Sequence, residues 1–327
     1  MRAHRPLALT ALALLLFSAC SKGTMPKYSI LQGLRVIALT LDQPEVEFNA
    51  ALQTFTPSTV QLTPVISDLY GGGRSLTYRL YHCLDPGVGL GAVPDCTGNP
   101  TKTDVATSAI ALPSGDYSAP NYTGAIAPVA IDLSLISAPA KAVYAARFGA
   151  LSAAQRFNGY AVLVFFEIFP TGDESKKTTY FKRLVLSDSS KAAKNQNPSG
   201  LDFRVSGVSI TALPAAETGV DAFVPAAQAE TYSSMNADGT LQSQTESIET
   251  TWFLTGPEDI TCSKDKTCTP DGLFFLTRSK PGELNRFTPP SASVPATRGR
   301  VLIGVARDNR GGSVVNRLCD GAAGLCP

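Results

Sequence analysis

Histidine, charge and long apolar runs are all scarce in this 327-residue chain, and each shortage excludes a class of protein. The two histidines are His4 and His82, which leaves little room for Ser-His-Asp or Cys-His catalysis. Charged residues make up only 17% of the chain, which excludes a coiled coil and a highly charged disordered protein. Lys and Arg number 28 against 27 Asp and Glu, so the net charge of +1 indicates no nucleic-acid partner.

Motifs with known chemistry are missing as well. The sequence has no GxSxG, no HExxH, no P-loop and no close CxxC pair that would bind zinc. Carboxylate pairs could still hydrolyse glycosides without a histidine. The candidates for that chemistry are Asp42, Glu45 and Glu47, although alternating acids ordinarily indicate a solvent-facing strand edge. We therefore expect a protein that is not an enzyme, with no metal and no cofactor.

The N-terminus is the most informative segment. Residues 1–19 begin with Arg2 and Arg5, continue with eleven largely apolar residues from Leu7 to Phe17, and end in small residues before Cys20. Eleven residues rise about 17 Å as a helix, which is about half the thickness of a bilayer's hydrocarbon core. The segment therefore predicts a cleaved secretory signal peptide rather than a permanent membrane span.

Residues 17–20, Phe-Ser-Ala-Cys, resemble the lipobox of bacterial lipoproteins. The resemblance implies cleavage before Cys20, a diacylglyceryl group on its sulfur and acylation of its new amine. Several acyl chains, at about 0.8 kcal/mol per buried CH₂, would anchor the protein stably, with residues 20–27 as a tether. Ser21 stands where an Asp would resemble an inner-membrane retention signal, so the outer membrane is favoured. The alternative is an ordinary signal peptide with an incidental cysteine.

Six cysteines remain after Cys20, and an even number in an exported chain predicts disulfides. Six cysteines allow about 15 connectivities, but these fall into three couples that are close in sequence. We expect the pairs Cys83–Cys96, Cys262–Cys268 and Cys319–Cys326.

Short alternating segments bounded by Gly and Pro predict a mainly β protein. Residues 75–83 alternate cleanly, and residues 160–169 and 178–187 are two strong strands that form a hairpin. One good helix is predicted over residues 139–157, where Gly149 could divide it into two pieces. It is interpreted as a helix that covers the open end of a sheet sandwich.

A polar stretch near the middle of the chain predicts a domain boundary. It contains Asn-Pro and Ser-Gly pairs, which are typical of loops, and the linker is placed at residues 195–200. Residues 28–194 and 201–327 are then two β-sandwich domains joined by a short polar linker, the first with the helical insertion.

Four segments carry a second resemblance, to Ig-like and PKD-like modules in uncharacterised bacterial outer-membrane lipoproteins. They are LRVIALTLDQPEV (34–46), FKRLVLSD…NQNP (181–198), ETTWFLTG (249–256) and VARDNRGG (305–312). The resemblance implies two Ig-like β-sandwiches, with Trp252 as a core residue of the second and no activity attached. Asp308, Gly311 and Gly312 are expected in a hairpin turn, where glycines supply positive φ.

Two charged groups leave binding alternatives open. Lys176, Lys177, Lys182 and Arg183 form a basic run that could bind a polysaccharide or a lipid headgroup, although a solvated edge strand is the ordinary interpretation. An acidic group could bind calcium, but its spacing matches no recognised calcium loop. Its members are Glu258, Asp259, Asp265 and Asp271.

The function expected from the sequence is that of a lipid-anchored, non-enzymatic cell-envelope protein. It would be structural or adhesive, or would bind a protein or glycan, at the periplasmic or the cell-surface face of the outer membrane. Two alternatives remain: a spacer subunit of an envelope assembly, and a carboxylate-dependent hydrolase.

Overall fold

The protein is mainly β in the computed structural model, and its described residues form several sheets and two α-helices. The structure describes residues 30–31, 33–68, 71, 73–87, 94–110, 122–216, 218–255, 278–287 and 301–319. The proposed lipidation site Cys20, three further cysteines (Cys262, Cys268 and Cys326) and the four acidic residues of the possible calcium site lie outside these ranges. Within these ranges, no helix is both long enough and apolar enough to cross a membrane.

The first half of the chain forms a six-stranded and a four-stranded sheet. The larger has the order β4-β3-β11-β10-β6-β7; in the smaller, β2, β8 and β9 all pair with β5. The strands are β2 (Leu34–Leu41), β3 (Glu45–Asn49), β4 (Thr54–Thr56), β5 (Thr59–Asp68), β6 (Leu76–Leu84), β7 (Thr103–Ile110), β8 (Tyr122–Ala125), β9 (Val129–Asp132), β10 (Tyr160–Pro170) and β11 (Thr178–Ser187); β1 (Ile30–Leu31) belongs to a sheet described below.

Strand β10 shows why these residues form a central strand. Its sequence YAVLVFFEIFP is almost continuously apolar, as expected for a strand that is covered on both faces. Val164 and Phe166 lie in the core that both sheets share, whereas Leu163 and Phe165 pack on the other face beside the Cys83–Cys96 disulfide.

The predicted helix over 139–157 is two helices, α1 (Ala138–Ala150) and α2 (Ala153–Asn158). The break is not at Gly149, which lies inside α1. Ser152 starts α2 with a capping box: its hydroxyl accepts from the backbone N–H of Gln155, and the Gln155 side chain accepts from the Ser152 N–H. These two hydrogen bonds satisfy backbone N–H groups that have no partner within the helix at its start. In one continuous helix the same groups would already be bonded to the preceding turn. Tyr144 and Phe148 of α1 enter the shared core.

The second half contributes three more sheets. Their orders are β1-β17-β20-β21 with β18 also on β17, then β13-β12-β14-β19, and the separate pair β15-β16. The strands are β12 (Asp202–Val205), β13 (Val208–Ser209), β14 (Thr218–Phe223), β15 (Thr231–Met235), β16 (Leu241–Thr245), β17 (Ile248–Thr255), β18 (Arg278–Ser279), β19 (Asn285–Phe287), β20 (Val301–Asp308) and β21 (Ser313–Cys319).

Trp252 lies at the centre of the second hydrophobic core. It is fully buried, and its indole N–H donates to the Ser279 hydroxyl at 2.8 Å. The Phe203 ring lies 5.6 Å from the Trp252 ring, centroid to centroid. Gly304 makes room for Phe203, because a Cβ at this position would come within 2.9 Å of the ring.

A third hydrophobic cluster joins the two halves. Ile37 and Val65 of the first half pack against Val301, Ile303 and Val305 of β20. The β1-β17-β20-β21 sheet therefore has one face on the Trp252 core and the other on the first half. We call this contact region the junction.

The segment predicted as a linker takes part in the junction. The Asn197 amide donates to the Leu41 carbonyl at 2.6 Å and accepts from the Ser313 N–H at 2.9 Å, so it binds to both halves. Asn195 is 1% exposed. These contacts hold residues 195–197 in place. The domain boundary at 195–200 stays a prediction.

Candidate functional site

The junction contains a cavity of about 520 Å³ that is lined by both halves. Its apolar wall includes Val65, Ile303 and Val315 of the third cluster. The polar lining combines hydroxyl, amide and guanidinium groups from Thr40, Thr63, Asn197, Ser313, Asn316 and Arg317. A pocket between two parts of a chain, with an apolar wall and a few polar groups, is a common form of ligand site.

One hydroxyl of this cavity has no protein partner. The Thr40 Oγ1 is buried and makes no hydrogen bond within the described part of the chain. A buried polar atom without a partner is unfavourable by about 1–3 kcal/mol, so this hydroxyl is a locally destabilising feature of the cavity wall.

A group of charges also connects the two halves, and we call it the junction charge cluster; all of its side chains except that of Glu230, which is 33% exposed, are at most 10% exposed. Its five members are Glu45, Lys191, Glu230, Glu246 and Arg310. Glu45 is 2% exposed and pairs with Lys191 at 2.7 Å and with Arg310 at 3.2 Å. Arg310 also pairs with Glu246 at 3.0 Å and Glu230 at 3.4 Å.

Burial and pairing act in opposite directions on the carboxyl of Glu45. Desolvation raises its pKa, but the hydrogen bond and charge of Lys191 lower it, and the net pKa is lowered from the usual 4.5. The backbone N–H of Asn195 adds a hydrogen bond at 3.0 Å. Glu45 is therefore a structural anion held by two cations, and the expectation of a solvent-facing edge at Glu45 is wrong.

The turn that carries Arg310 is shaped by the residues expected there. Asp308 accepts from the backbone N–H groups of Arg310 and Gly312, both at 2.8 Å. Gly311 has φ of 106°, which favours glycine. A Cβ on Gly312 would meet the Asp308 carboxylate at 2.1 Å and the Gln196 carbonyl at 2.8 Å, so only glycine fits this close approach.

The remaining residues singled out from the sequence are spread over the molecule. Cys83 and Cys96 form a disulfide with their Cα atoms 5.8 Å apart, beneath the outer face of the six-stranded sheet. Cys319 ends β21, and its expected partner Cys326 lies outside the described ranges.

His82 is 1% exposed, and burial lowers its pKa to about 4. Neither ring nitrogen has a hydrogen-bond partner among the described residues.

The basic run lies where β11 has a described partner on one side only. Lys176 and Lys177 precede the strand, and at Lys182 and Arg183 it pairs with β10 alone, since β3 pairs only with residues 185–187. Lys177 pairs with Glu167 at 2.8 Å and Arg183 approaches Asp85 at 3.6 Å. Lys182 instead reaches the junction, where its ammonium donates to the Ser313 hydroxyl at 3.0 Å.

Local sequence reasoning missed the junction charge cluster and the cavity. Glu45 is 146 residues from Lys191 and 265 from Arg310, so no spacing rule connects them. In the described ranges no three His, Cys, Asp or Glu side chains are grouped as metal ligands.

Comparison with known proteins adds no family. No family model matches the chain, and no curated protein matches it. Among solved structures, a crystal structure of the YadV chaperone aligns with 86% of this chain and 98% of its own, at 10% identity and a TM-score of 0.22. Similarity at this level supports no argument about fold or function.

Proposed function

We propose that this chain is a lipid-anchored, non-enzymatic protein of the bacterial outer membrane that binds a glycan in the junction cavity. Its halves are proposed as two Ig-like β-sandwiches, the first with α1 and α2 as the helical insertion. The observation that carries the binding proposal is the cavity itself, with its hydroxyl and amide lining beside an apolar wall. The Asn197 and Asn316 amides bond within the protein, so the hydroxyls of Thr63 and Ser313 are the groups proposed to hydrogen-bond a saccharide.

Export and anchoring are supported by two features. Residues 17–20 resemble a lipobox, and the Cys83–Cys96 disulfide is typical of an oxidising compartment outside the cytosol. The anchor is tested by growth with labelled palmitate. We expect label in the wild type and in Ser21→Ala, and none in Cys20→Ala. Equal labelling of Cys20→Ala would contradict the anchor.

Glycan binding is tested with the full-length protein in detergent on an array of envelope saccharides. Thr63→Phe places a ring in the cavity and should abolish binding, since Thr63 lines it. Thr59→Phe is the matched control, because Thr59 is exposed on the same strand. A Thr63→Phe protein that binds as well as the control would refute the cavity as the glycan site.

A second candidate is a spacer subunit of an envelope assembly. The observation that favours it is the junction charge cluster, which ties the two halves together and suits a rigid part. In detergent, a tagged protein should then retain a fixed stoichiometry of partner subunits. Purification as a single species that binds saccharide would favour the glycan proposal instead.

A further inference from the structure

Three cations face the same side of the β1-β17-β20-β21 sheet at the junction. Arg307 lies on β20 and Arg278 on β18, and Lys182 reaches the same place from β11 of the first half. Lys182 and Arg307 are partly buried, and Arg278 is exposed. The three belong to different strands, and in the case of Lys182 to a different half of the chain.

The strand register fixes their neighbourhood. Arg307 is directly opposite Ser313 of β21, and Arg278 is directly opposite Thr251 of β17. Residues opposite each other in an antiparallel pair point to the same face. Arg307 donates to the Thr251 hydroxyl at 2.9 Å, and Lys182 donates to the Ser313 hydroxyl at 3.0 Å.

The pKa values of Lys182 and Arg307 are consistent with like charges that lie close together. Desolvation lowers the pKa of Lys182 to about 8, with a further lowering from the charge of Arg307. Desolvation also lowers the pKa of Arg307; the Tyr180 hydroxyl beside it opposes this, and the charge of Arg278 adds to it. Cations that are taken out of water near each other are unfavourable unless an anion compensates them.

The described carboxylates form no ion pair with these three cations. Among the described residues, none lies within ion-pair distance of Lys182, Arg307 or Arg278. Glu249 is opposite Arg307 in the register, but it is exposed and forms no ion pair with it. The charge of Asp308 favours the charged form of Lys182 without an ion pair; its Oδ1 accepts from its own turn, and its buried Oδ2 has no hydrogen-bond partner among the described residues.

We propose that Lys182, Arg307 and Arg278 bind a phosphate group at the edge of the junction cavity. Two partly buried cations match the double negative charge of a phosphate monoester, and the guanidinium fork matches its oxygens. Nearby hydroxyls of Ser313, Thr251 and Tyr180 can donate further hydrogen bonds. Ser313 lines the cavity and binds Lys182, so the two sites share a wall.

This inference deepens the proposed function, on which it rests for the saccharide: the ligand would be a phosphorylated saccharide. Its phosphate would bind the three cations while its sugar ring lies in the cavity. Free inorganic phosphate could bind the three cations in the same way, but it has no sugar ring to occupy the cavity.

Calorimetry distinguishes a phosphorylated saccharide from free phosphate as the ligand. It uses the full-length protein in detergent, in chloride buffer of constant ionic strength. The probes are inorganic phosphate, glucose 6-phosphate and glucose. We expect inorganic phosphate to bind with one-to-one stoichiometry and glucose 6-phosphate to bind more tightly. Equal affinities for the two would support the phosphate site and count against saccharide in the cavity. Binding of glucose but of neither phosphate would overturn the phosphate site and leave the glycan proposal standing.

Lys182→Met should weaken phosphate binding about 10-fold or more, as expected for loss of one hydrogen-bonded charge. Lys176→Met is the matched control, because Lys176 is a surface lysine paired with Asp173. Unchanged binding in Lys182→Met would overturn the assignment.

A measurement on the wild type applies even if Lys182→Met does not fold. Acetic anhydride at pH 8 labels neutral amines, and the partly exposed Lys182, whose pKa is lowered to about 8, should be labelled in chloride. Inorganic phosphate should protect Lys182 and leave the labelling of Lys176 unchanged. Equal labelling of Lys182 with and without phosphate would overturn the proposal.

Discussion

Replacing Glu45 by Gln tests whether the junction charge cluster holds the two halves together. Glu45 is 2% exposed and compensates Lys191 and Arg310, whose side chains are 7% and 10% exposed. Breaking a buried pair by removing one partner typically costs about 3–5 kcal/mol. Glu246 and Glu230 remain beside Arg310 in the variant, so we expect the low end, about 3 kcal/mol.

Urea unfolding at pH 7 is the assay, followed by the fluorescence of Trp252, the sole tryptophan of the chain. Glu47→Gln is the matched control. Glu47 is 31% exposed and lies 3.9 Å from the Lys194 ammonium, a geometry worth about 0–1 kcal/mol. If Glu45→Gln unfolds at the same urea concentration as Glu47→Gln, the cluster does not stabilise the junction.

The pH dependence adds an independent check. The pKa of Glu45 is lowered in the folded protein, so its stabilising contribution is complete above the usual pKa of 4.5. It is lost as the pH falls below 4.5 through the lowered folded-state value. The stability difference between the wild type and Glu45→Gln should therefore be constant from pH 7 to 5 and shrink at lower pH. A difference that shrinks already between pH 7 and 6 would contradict this assignment.

Two further predictions concern the cores. Burial lowers the pKa of His82 from 6.5 to about 4, and the charge of Asp104 acts in the opposite direction. The unfolded chain therefore binds a proton at a higher pH than the folded protein does. The free energy of unfolding should fall by about 3 kcal/mol as the pH drops from 6.5 to 4. His82→Leu should reduce this slope in urea titrations; an unchanged slope would show that His82 is not the group responsible. Gly304→Ala should lower the free energy of unfolding by about 1–3 kcal/mol, because the new Cβ would come within 2.9 Å of Phe203. Gly149 in α1 has open space around it, so Gly149→Ala should raise the free energy of unfolding by up to about 1 kcal/mol. Equal effects of Gly304→Ala and Gly149→Ala in thermal unfolding would refute the packing argument.

Strands were predictable where a segment's own sequence determines its environment. The run at 160–169 is apolar at nearly every position because β10 is covered on both faces, and this signal is local. The break after α1 was also visible in principle, since Ser152 and Gln155 have the spacing of a capping box. The prediction used Gly149 instead, and glycine inside a helix weakens it without ending it.

Charged and polar residues at the junction were not predictable from local pattern. The stretch with Lys191 and Asn195 has the composition of a linker, yet both residues are buried, and the Lys191 ammonium and the Asn195 backbone N–H both donate to the distant Glu45. Lys182 belongs to a run that resembles a solvated edge strand, but its side chain is partly buried because its ammonium donates to Ser313 of the second half. Composition reports how polar a segment is, and it does not report which distant groups are close in the fold.

The first described strand determines how the protein would respond to a mechanical load. Strand β1 begins at Ile30, three residues after the end of the proposed tether at residue 27, and its two residues pair in parallel with Leu254 and Thr255 of β17 in the second half. A force on a lipid attached to Cys20 would reach the second half first, although most of the first half follows in sequence. If the force acts along β1, its hydrogen bonds would be sheared together rather than opened one by one. Attachment at this point would let the protein resist detachment of its N-terminus under flow.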